Sequence, residues 1–112
     1  MRAISWIKAA RKAYERFPVG ASREIDRALS LAAQGDKADI AKPMVGLGSG
    51  VMEIAVKFRG DAWRAVYVLQ IAEDVWVVHA FQKKSASGIA TPTHEIDLIR
   101  GRIRMLKERF ER

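Results

Sequence analysis

The middle of the chain alternates apolar and polar side chains in the manner of β-strands. In VMEIAVKF (Val51–Phe58), large apolar side chains occupy every second position, which is the period of a half-buried strand. After the turn sequence RGD, the segment AWRAVYVLQIA (62–72) is rich in aromatic and β-branched residues. The segment EDVWVVHAFQKK (73–84) follows a second charged turn. Because both connections are short, the pattern predicts an antiparallel meander of three strands.

The segment before this sheet predicts a hairpin of two helices. Good helix formers fill KAARKAYERF (8–17), which stops at Pro18. Between about 21 and 34, apolar residues recur at helical spacing, and Gly35 follows as a stop signal. The sequence GDKADIAKPMVGLGSG (35–50) has the glycines and the proline of a loop, so we expect no regular element there.

The C-terminal segment predicts a single amphipathic helix. TPTHEIDLIRGRIRMLKERF (91–110) starts with Thr91 as a capping residue and Pro92 at the first helical position. Its apolar stripe, at spacings typical of core packing, consists of Ile96, Ile99, Ile103, Leu106 and Phe110. With AISWI (3–7) as a further short strand, the pattern predicts an α+β domain in which a small antiparallel sheet is flanked by a helical hairpin and a C-terminal helix.

Length and composition limit the class of protein. The chain has 112 residues, 49% of them hydrophobic, and is expected to form a single globular domain over residues 1–112. It has no cysteine, which excludes disulfides, thiolate metal sites and a cysteine nucleophile. No apolar run approaches the roughly 18 residues that span a bilayer, and the N-terminal residues lack a signal-peptide pattern, so we expect a cytoplasmic protein. The net charge of +7, spread along the chain, favours an acidic or polyanionic partner.

Strand parity groups the candidate functional residues. In the third strand of the meander, His79, Phe81 and Lys83 are expected on one face, and Trp76 and Val78 on the other. Neighbouring antiparallel strands can then bring four basic side chains to one surface of the sheet. These four residues are Lys57, Arg64, His79 and Lys83.

Such a cluster suits the cleavage of RNA without a metal ion. Attack by the 2′-OH on the neighbouring phosphate needs a base, cations that stabilise the pentavalent phosphate, and an acid for the leaving oxygen. Arg64 offers a planar fork of donors for phosphate oxygens, and His79 titrates near neutrality. Phe81 offers a ring on which an unpaired base can stack. Two histidines and scattered carboxylates lack the spacing of metal ligands, so neither a metal nor a cofactor is expected.

Each candidate also has a purely structural interpretation. His79, on a mostly apolar strand, is compatible with a hydrogen-bonded histidine of the core. Arg64 can pair with Glu53 across the sheet as a structural salt bridge. Lys83 and Lys84 can form an ordinary solvated strand end. The residue pattern alone leaves these alternatives open.

The chain contains, in this order, the segments GLGSGVMEI, RGDAWRAVYV, VVHAFQKKS and GIATPTHEIDLIRGRI. These segments resemble the phage-derived HigB-type toxins, a branch of the RelE/ParE toxin superfamily, and the resemblance covers nearly the whole chain. It implies the RelE-like fold, a curved antiparallel sheet flanked by helices, and a type II toxin–antitoxin module. The implied partner is a HigA-like helix-turn-helix antitoxin, and operator DNA would be bound only through the complex with that antitoxin.

The resemblance also implies an activity, because HigB and RelE relatives cleave messenger RNA, usually on the ribosome. By position, Arg64 matches a superfamily arginine on the catalytic face, while Lys83 and Lys84 lie where relatives present phosphate-binding cations. Lys57 and Arg59 lie near basic positions that some relatives use. The chain ends in KERFER and lacks the C-terminal tyrosine of several members, so the proton-transfer group is expected to be either Lys83 or His79.

Two other functions fit the same resemblance. ParE-like relatives share the fold and poison DNA gyrase by binding it, without an enzymatic step. A regulatory descendant that binds only its antitoxin and operator DNA is the third possibility. The ribonuclease is the function that the basic cluster favours, and the gyrase poison is its main alternative.

Overall fold

The structure is a computed structural model that describes residues 1–83 and 91–111. Within these residues, five strands form one sheet and three helices pack against it. In chain order the elements are β1 (Ile4–Trp6), α1 (Lys8–Tyr14), α2 (Val19–Ala33), β2 (Ala41–Pro43), β3 (Val51–Phe58), β4 (Asp61–Val68), β5 (Val75–Lys83) and α3 (Thr93–Phe110). The expected α+β class is confirmed. None of the helices in the described residues is long and apolar enough to cross a membrane.

The sheet has the strand order β1-β5-β4-β3-β2. The predicted meander is confirmed, since β3, β4 and β5 pair antiparallel in sequence order. At one edge, β1 adds a parallel strand beside β5, and at the other edge β2 pairs antiparallel with β3. The sequence missed β2, which lies in the expected loop, because it has three residues and two of them, Lys42 and Pro43, are exposed.

The two faces of the sheet carry separate apolar clusters. On one face α1 and α2 pack against the sheet, and the largest fully buried side chains there include Ile25, Leu29, Ile54 and Tyr67. On the other face α3 covers the sheet with the buried part of its predicted stripe, Ile99, Ile103 and Leu106. The sheet is therefore the middle of three layers, and its α3 side holds the predicted basic cluster.

One extra residue in β5 changes which side chains face α3. Val66 of β4 lies opposite His79, and the register shifts directly after this pair, so that Val78 has no residue opposite it. This is a β-bulge, and it reverses the alternation of the strand. Trp76 and Val78 pack in the α3-side cluster, on the same side as His79. The prediction that they lie on the opposite face from His79 is wrong for this reason.

The start of α3 also differs from the sequence prediction. The helix begins at Thr93, Pro92 is the capping residue, and its first turn receives no side-chain cap. Thr91, which was expected to cap the helix, instead donates its hydroxyl to a carboxylate oxygen of Glu53 at 2.8 Å. The predicted cap is therefore wrong, because the hydroxyl is used to attach this end of α3 to the sheet. Glu95 does lie in the first turn, as predicted, where its charge favours the helix dipole.

Candidate functional site

The predicted cluster lies on the α3 side of the sheet, in three adjacent rows of paired residues. Lys57 and Lys83 both lie opposite Ala62, so these two lysines occupy the ends of one row. The next row contains Arg64 with Phe81 opposite it, and the third places His79 opposite Val66. Directly paired residues in an antiparallel sheet point to the same side. The structure therefore brings together the five residues that we call the basic face, namely Lys57, Arg64, His79, Phe81 and Lys83.

The guanidinium of Arg64 is hydrogen-bonded through Nη1, whereas its Nε–H has no acceptor among the described residues. Its Nη1 donates to Glu53 Oε1 at 3.0 Å, and the two side chains are only 12% and 15% exposed. The other oxygen of Glu53 accepts the hydroxyl of Thr91. Among the described residues, no atom accepts a hydrogen bond from the buried Nε of Arg64. The structural salt bridge that the sequence allowed is thus present, yet it leaves one buried guanidinium donor without an acceptor.

His79 joins the sheet to α3 through both nitrogens of its ring. Its Nε2 lies 2.7 Å from Glu95 Oε1, and its Nδ1 lies 3.0 Å from Nη1 of Arg102. A guanidinium can only donate, so Nδ1 of His79 must accept from Arg102. The ring proton is therefore on Nε2, which donates a hydrogen bond to the Glu95 carboxylate. The same Arg102 nitrogen also lies within hydrogen-bond distance of the carbonyl oxygen of Val78, in the bulge. His79 is 6% exposed, so it is a neutral, buried, doubly hydrogen-bonded histidine.

The electrostatic surroundings of His79 agree with this neutral state. Burial holds the pKa of His79 below its ordinary value, because a charged imidazolium loses its hydration there. The carboxylate of Glu95 acts in the opposite direction, and the positive charge of Arg102 adds to the lowering. In this conformation neither ring nitrogen is available to take a proton from a substrate.

The other predicted residues divide into buried and exposed groups. Phe81 stacks on the His79 ring with centroids 5.0 Å apart, and Lys83 is 7% exposed, so Lys83 does not belong to a solvated strand end. Lys57 and Arg59 are exposed at the end of the β3–β4 hairpin, where the Arg59 guanidinium lies over the Phe58 ring. Lys84 falls outside the described residues.

The sequence analysis missed two charged partners of the basic face, Glu95 and Arg102, whereas it anticipated Glu53 as a pairing alternative for Arg64. Glu95 and Arg102 are seven positions apart on α3 and point to the same side as the apolar stripe. Residues seven positions apart are separated by two turns and lie on the same face of a helix. This spacing beside the apolar stripe is the signal in the sequence that both side chains face the sheet. Which residue each would meet depends on how α3 packs on the sheet. No group of three or more His, Asp or Glu side chains that could hold a metal is found in residues 1–83 and 91–111.

The architecture defines a small α+β domain with the fold of the RelE toxins. The structure of the Escherichia coli toxin RelE in its free state, solved as a mutant, matches this chain with a TM-score of 0.56. The two sequences are 16% identical, and the match covers 77% of this chain and 86% of that chain. No curated protein sequence matches the chain significantly.

The family comes from a sequence profile. The profile of the phage-derived Gp49-like proteins matches residues 12–104, which is most of the chain. The chain therefore belongs to the Gp49-like family, a phage-derived family of RelE- and HigB-like toxins. The resemblance seen in the sequence is confirmed at this level.

Proposed function

We propose that the protein is the toxin of a type II toxin–antitoxin pair and acts as an endoribonuclease on messenger RNA. The observation that carries this proposal is the buried Nε–H of Arg64, which has no acceptor among the described residues. A buried donor left without a partner costs about 1–3 kcal/mol. The indole nitrogens of Trp63 and Trp76 are also without a partner among the described residues, and Arg64 is the charged group of the three. A phosphate oxygen is the acceptor that a guanidinium matches best.

The rest of the basic face supports a phosphate ligand. Lys57 and Lys83 lie in the row next to Arg64, so positive charge is concentrated on this part of the sheet. In the proposed reaction the 2′-OH gives its proton to a base and attacks the adjacent phosphorus, the bond from phosphorus to the 5′-oxygen breaks, and this oxygen leaves as a hydroxyl after it takes up a proton. A 2′,3′-cyclic phosphate remains. Arg64 stabilises the pentavalent phosphate, and Phe81 contributes a ring for an unpaired base.

The contacts of His79 argue against it as the proton-transfer group. His79 was one of two candidates, but both of its ring nitrogens are engaged by Glu95 and Arg102. We therefore assign proton transfer to Lys83 and give His79 the task of fixing α3 on the sheet. Lys57, Arg59 and Lys84 are proposed to hold the phosphates on either side of the cut. No metal takes part in this scheme.

The proposed site lies beside the start of α3. Thr91 lies against Glu53, and Glu95 lies against His79. The side chains of Arg64 and Glu53 are 12% and 15% exposed, so we propose that the substrate phosphate approaches Arg64 beside α3 while these contacts stay in place. We propose the ribosome as the place where the message is cut, a HigA-like antitoxin as the protein partner, operator DNA as a ligand of the antitoxin complex only, and the cytoplasm as the location.

The decisive experiment is induced expression in a bacterial host, with growth measured beside 5′-end mapping of transcripts. The wild type is expected to arrest growth and to produce new internal cuts in translated messages, and Arg64→Ala and Lys83→Ala are expected to remove most of these cuts. Lys12→Ala, which removes an exposed charge from α1 on the opposite side of the sheet, serves as the matched control and should cut like the wild type.

Intact messages in arrested cells would contradict the ribonuclease. In that case the ParE-like alternative predicts a DNA-damage response and inhibition of purified gyrase. Cleavage by purified protein with ribosomes present, and none without them, would support action on translated messages.

A further inference from the structure

We propose that Glu53 is a positioning residue for Arg64, one that fixes the guanidinium so that its Nε edge meets the phosphate under attack. This inference rests on the proposed ribonuclease function and adds a residue to it. Glu53 would not touch the RNA. It would act by holding Arg64 in one orientation.

The pairing of the strands makes Glu53 a diagonal neighbour of Arg64. Across β3 and β4, Arg64 lies opposite Ala55 and Glu53 lies opposite Val66, so both charged side chains point to the α3 side. Diagonal neighbours on one face of a sheet are within reach of long side chains. The Oε1–Nη1 distance of 3.0 Å shows that the contact is made.

The form of the contact favours positioning over simple charge pairing. Glu53 has one oxygen on Nη1 of Arg64 and the other on the hydroxyl of Thr91, so its carboxylate cannot rotate without breaking a bond. An arginine that only neutralises a carboxylate commonly gives it two parallel hydrogen bonds. Here Arg64 gives one bond from one end, and its buried Nε has no acceptor among the described residues. The carboxylate thus fixes the guanidinium and leaves its Nε–H without an acceptor among the described residues.

A positioning role and a simple charge effect predict opposite changes in rate. The pentavalent phosphate carries more negative charge than the substrate phosphate, so a nearby carboxylate opposes its formation. If only its charge mattered, removal of Glu53 would speed cleavage. If orientation dominates, removal slows cleavage, because donors fixed in advance stabilise the transition state without reorganising.

The test is steady-state cleavage of a message on ribosomes by the wild type, Glu53→Ala and Glu53→Gln. Glu53→Ala is expected to lower kcat by about ten- to a hundredfold, the loss that misplacement of a catalytic group causes. KM should change by less than about threefold, because the interaction matters mainly in the transition state. Glu53→Gln keeps an oxygen acceptor of the same reach and should recover part of kcat.

A matched control separates this effect from charge and stability. Glu15→Ala removes an exposed carboxylate that pairs with Arg11 on α1, and it should leave kcat unchanged. Thermal unfolding of all variants gives the folded fraction to which kcat is referred. An unchanged or raised kcat per folded molecule in Glu53→Ala would overturn the inference, since that is the result for a structural ion pair or for a repulsive charge.

The side chain of Arg64 gives a second readout that does not depend on cleavage. In the wild type its Nε–H should give one sharp NMR signal that moves on addition of a short 2′-O-methyl RNA, which binds and cannot be cut. In Glu53→Ala the signal should broaden and its response should weaken. If the wild type fails to cut messages, the proposed ribonuclease fails, and this NMR response alone then supports or overturns the positioning of Arg64 by Glu53.

Discussion

Arg102 donates to Nδ1 of His79 across 3.0 Å, and this single contact fixes the protonation state of the histidine. A proton on Nδ1 would point at a donor, so protonation of the ring requires this contact to break. The same arginine nitrogen also reaches the carbonyl oxygen of Val78, where β5 bulges. The attachment of α3 to the sheet therefore depends on a histidine that stays neutral.

Stability should fall as the solution is made more acidic than the ordinary pKa of histidine. The folded-state pKa of His79 lies below its ordinary value, because burial disfavours the charged ring and Arg102 adds to this effect. Below about pH 6.5 the unfolded chain binds a proton that the folded chain does not, so the stabilisation present above that pH is lost as pH falls toward the folded-state pKa. Denaturant unfolding between pH 5 and 8 should show a slope of up to about 1.4 kcal/mol per pH unit for one such group.

Two histidine variants identify the source of that slope. His79→Gln should lose most of it, and His94→Gln, which changes a side chain that is 80% exposed, should keep it. A wild type whose stability is flat over this range would show that the pKa of His79 is the same in the folded and the unfolded chain, and would contradict this prediction.

Replacement of Arg102 by methionine should weaken the attachment of α3. The variant keeps an unbranched apolar chain but leaves Nδ1 of His79 and the Val78 carbonyl without this donor, which should cost about 1.5–3 kcal/mol of unfolding free energy. Arg104→Met, at an exposed position two residues further along α3, should change stability by less than about 0.5 kcal/mol. Equal effects at the two positions would mean that Arg102 makes no special contribution.

The helical glycines should respond to alanine in opposite directions. A Cβ added at Gly20 in α2 would overlap the Phe58 ring, which packs partly buried against the cluster on that face. The ring must turn away, so Gly20→Ala should destabilise the protein by about 1–3 kcal/mol. A Cβ at Gly101 in α3 meets no atom within 4 Å, and Gly101→Ala should stabilise by up to about 1 kcal/mol through helix propensity. The melting temperatures of the two variants test this prediction. A lower melting temperature for Gly101→Ala would contradict the open surroundings of Gly101.

Neither tyrosine of the chain should ionise while the protein is folded at about pH 10. Burial raises the pKa of both Tyr14 and Tyr67, and the carboxylate of Asp26 beside the Tyr14 hydroxyl raises its pKa further. The folded chain keeps protons that the unfolded chain releases above about pH 10, so this contribution to stability is complete below that pH and declines as pH rises above it. Tyrosinate absorbance should therefore appear together with the loss of helical circular dichroism. Ionisation near pH 10 in a protein that keeps its helices would contradict this expectation.

The elements with long and regular apolar patterns were predictable from the sequence. The spacing of apolar residues is recognisable in elements that contain enough residues, which are the strands β3, β4 and β5 and the helices α2 and α3. The edge strand β2 was not predictable, because three residues contain no period. The basic cluster on one face was correctly placed by alternation, even though the bulge at Val78 reversed the alternation earlier in β5.

The contacts within the candidate site were less predictable than its location. The pair of Arg64 with Glu53 followed from two neighbouring strands and was anticipated as an alternative. The contacts of His79 with Glu95 and Arg102 depend on the position of α3, which a single sequence does not give. Consequently the sequence suggested His79 as a group that titrates near neutrality, whereas its packing keeps it neutral and fully bonded.

The parallel pairing of β1 with β5 has a consequence for the way the protein is made. Ile4–Trp6 is synthesised before α1, α2 and three other strands, whereas its partners Val75–Val77 are synthesised after them. Contacts between distant parts of a chain form late and leave apolar strands uncovered until then. A copy whose synthesis stops before β5 has neither the central partner of β1 nor the strand that carries His79, Phe81 and Lys83. Prematurely terminated copies therefore lack three of the five residues of the basic face and are expected to be substrates for proteolysis.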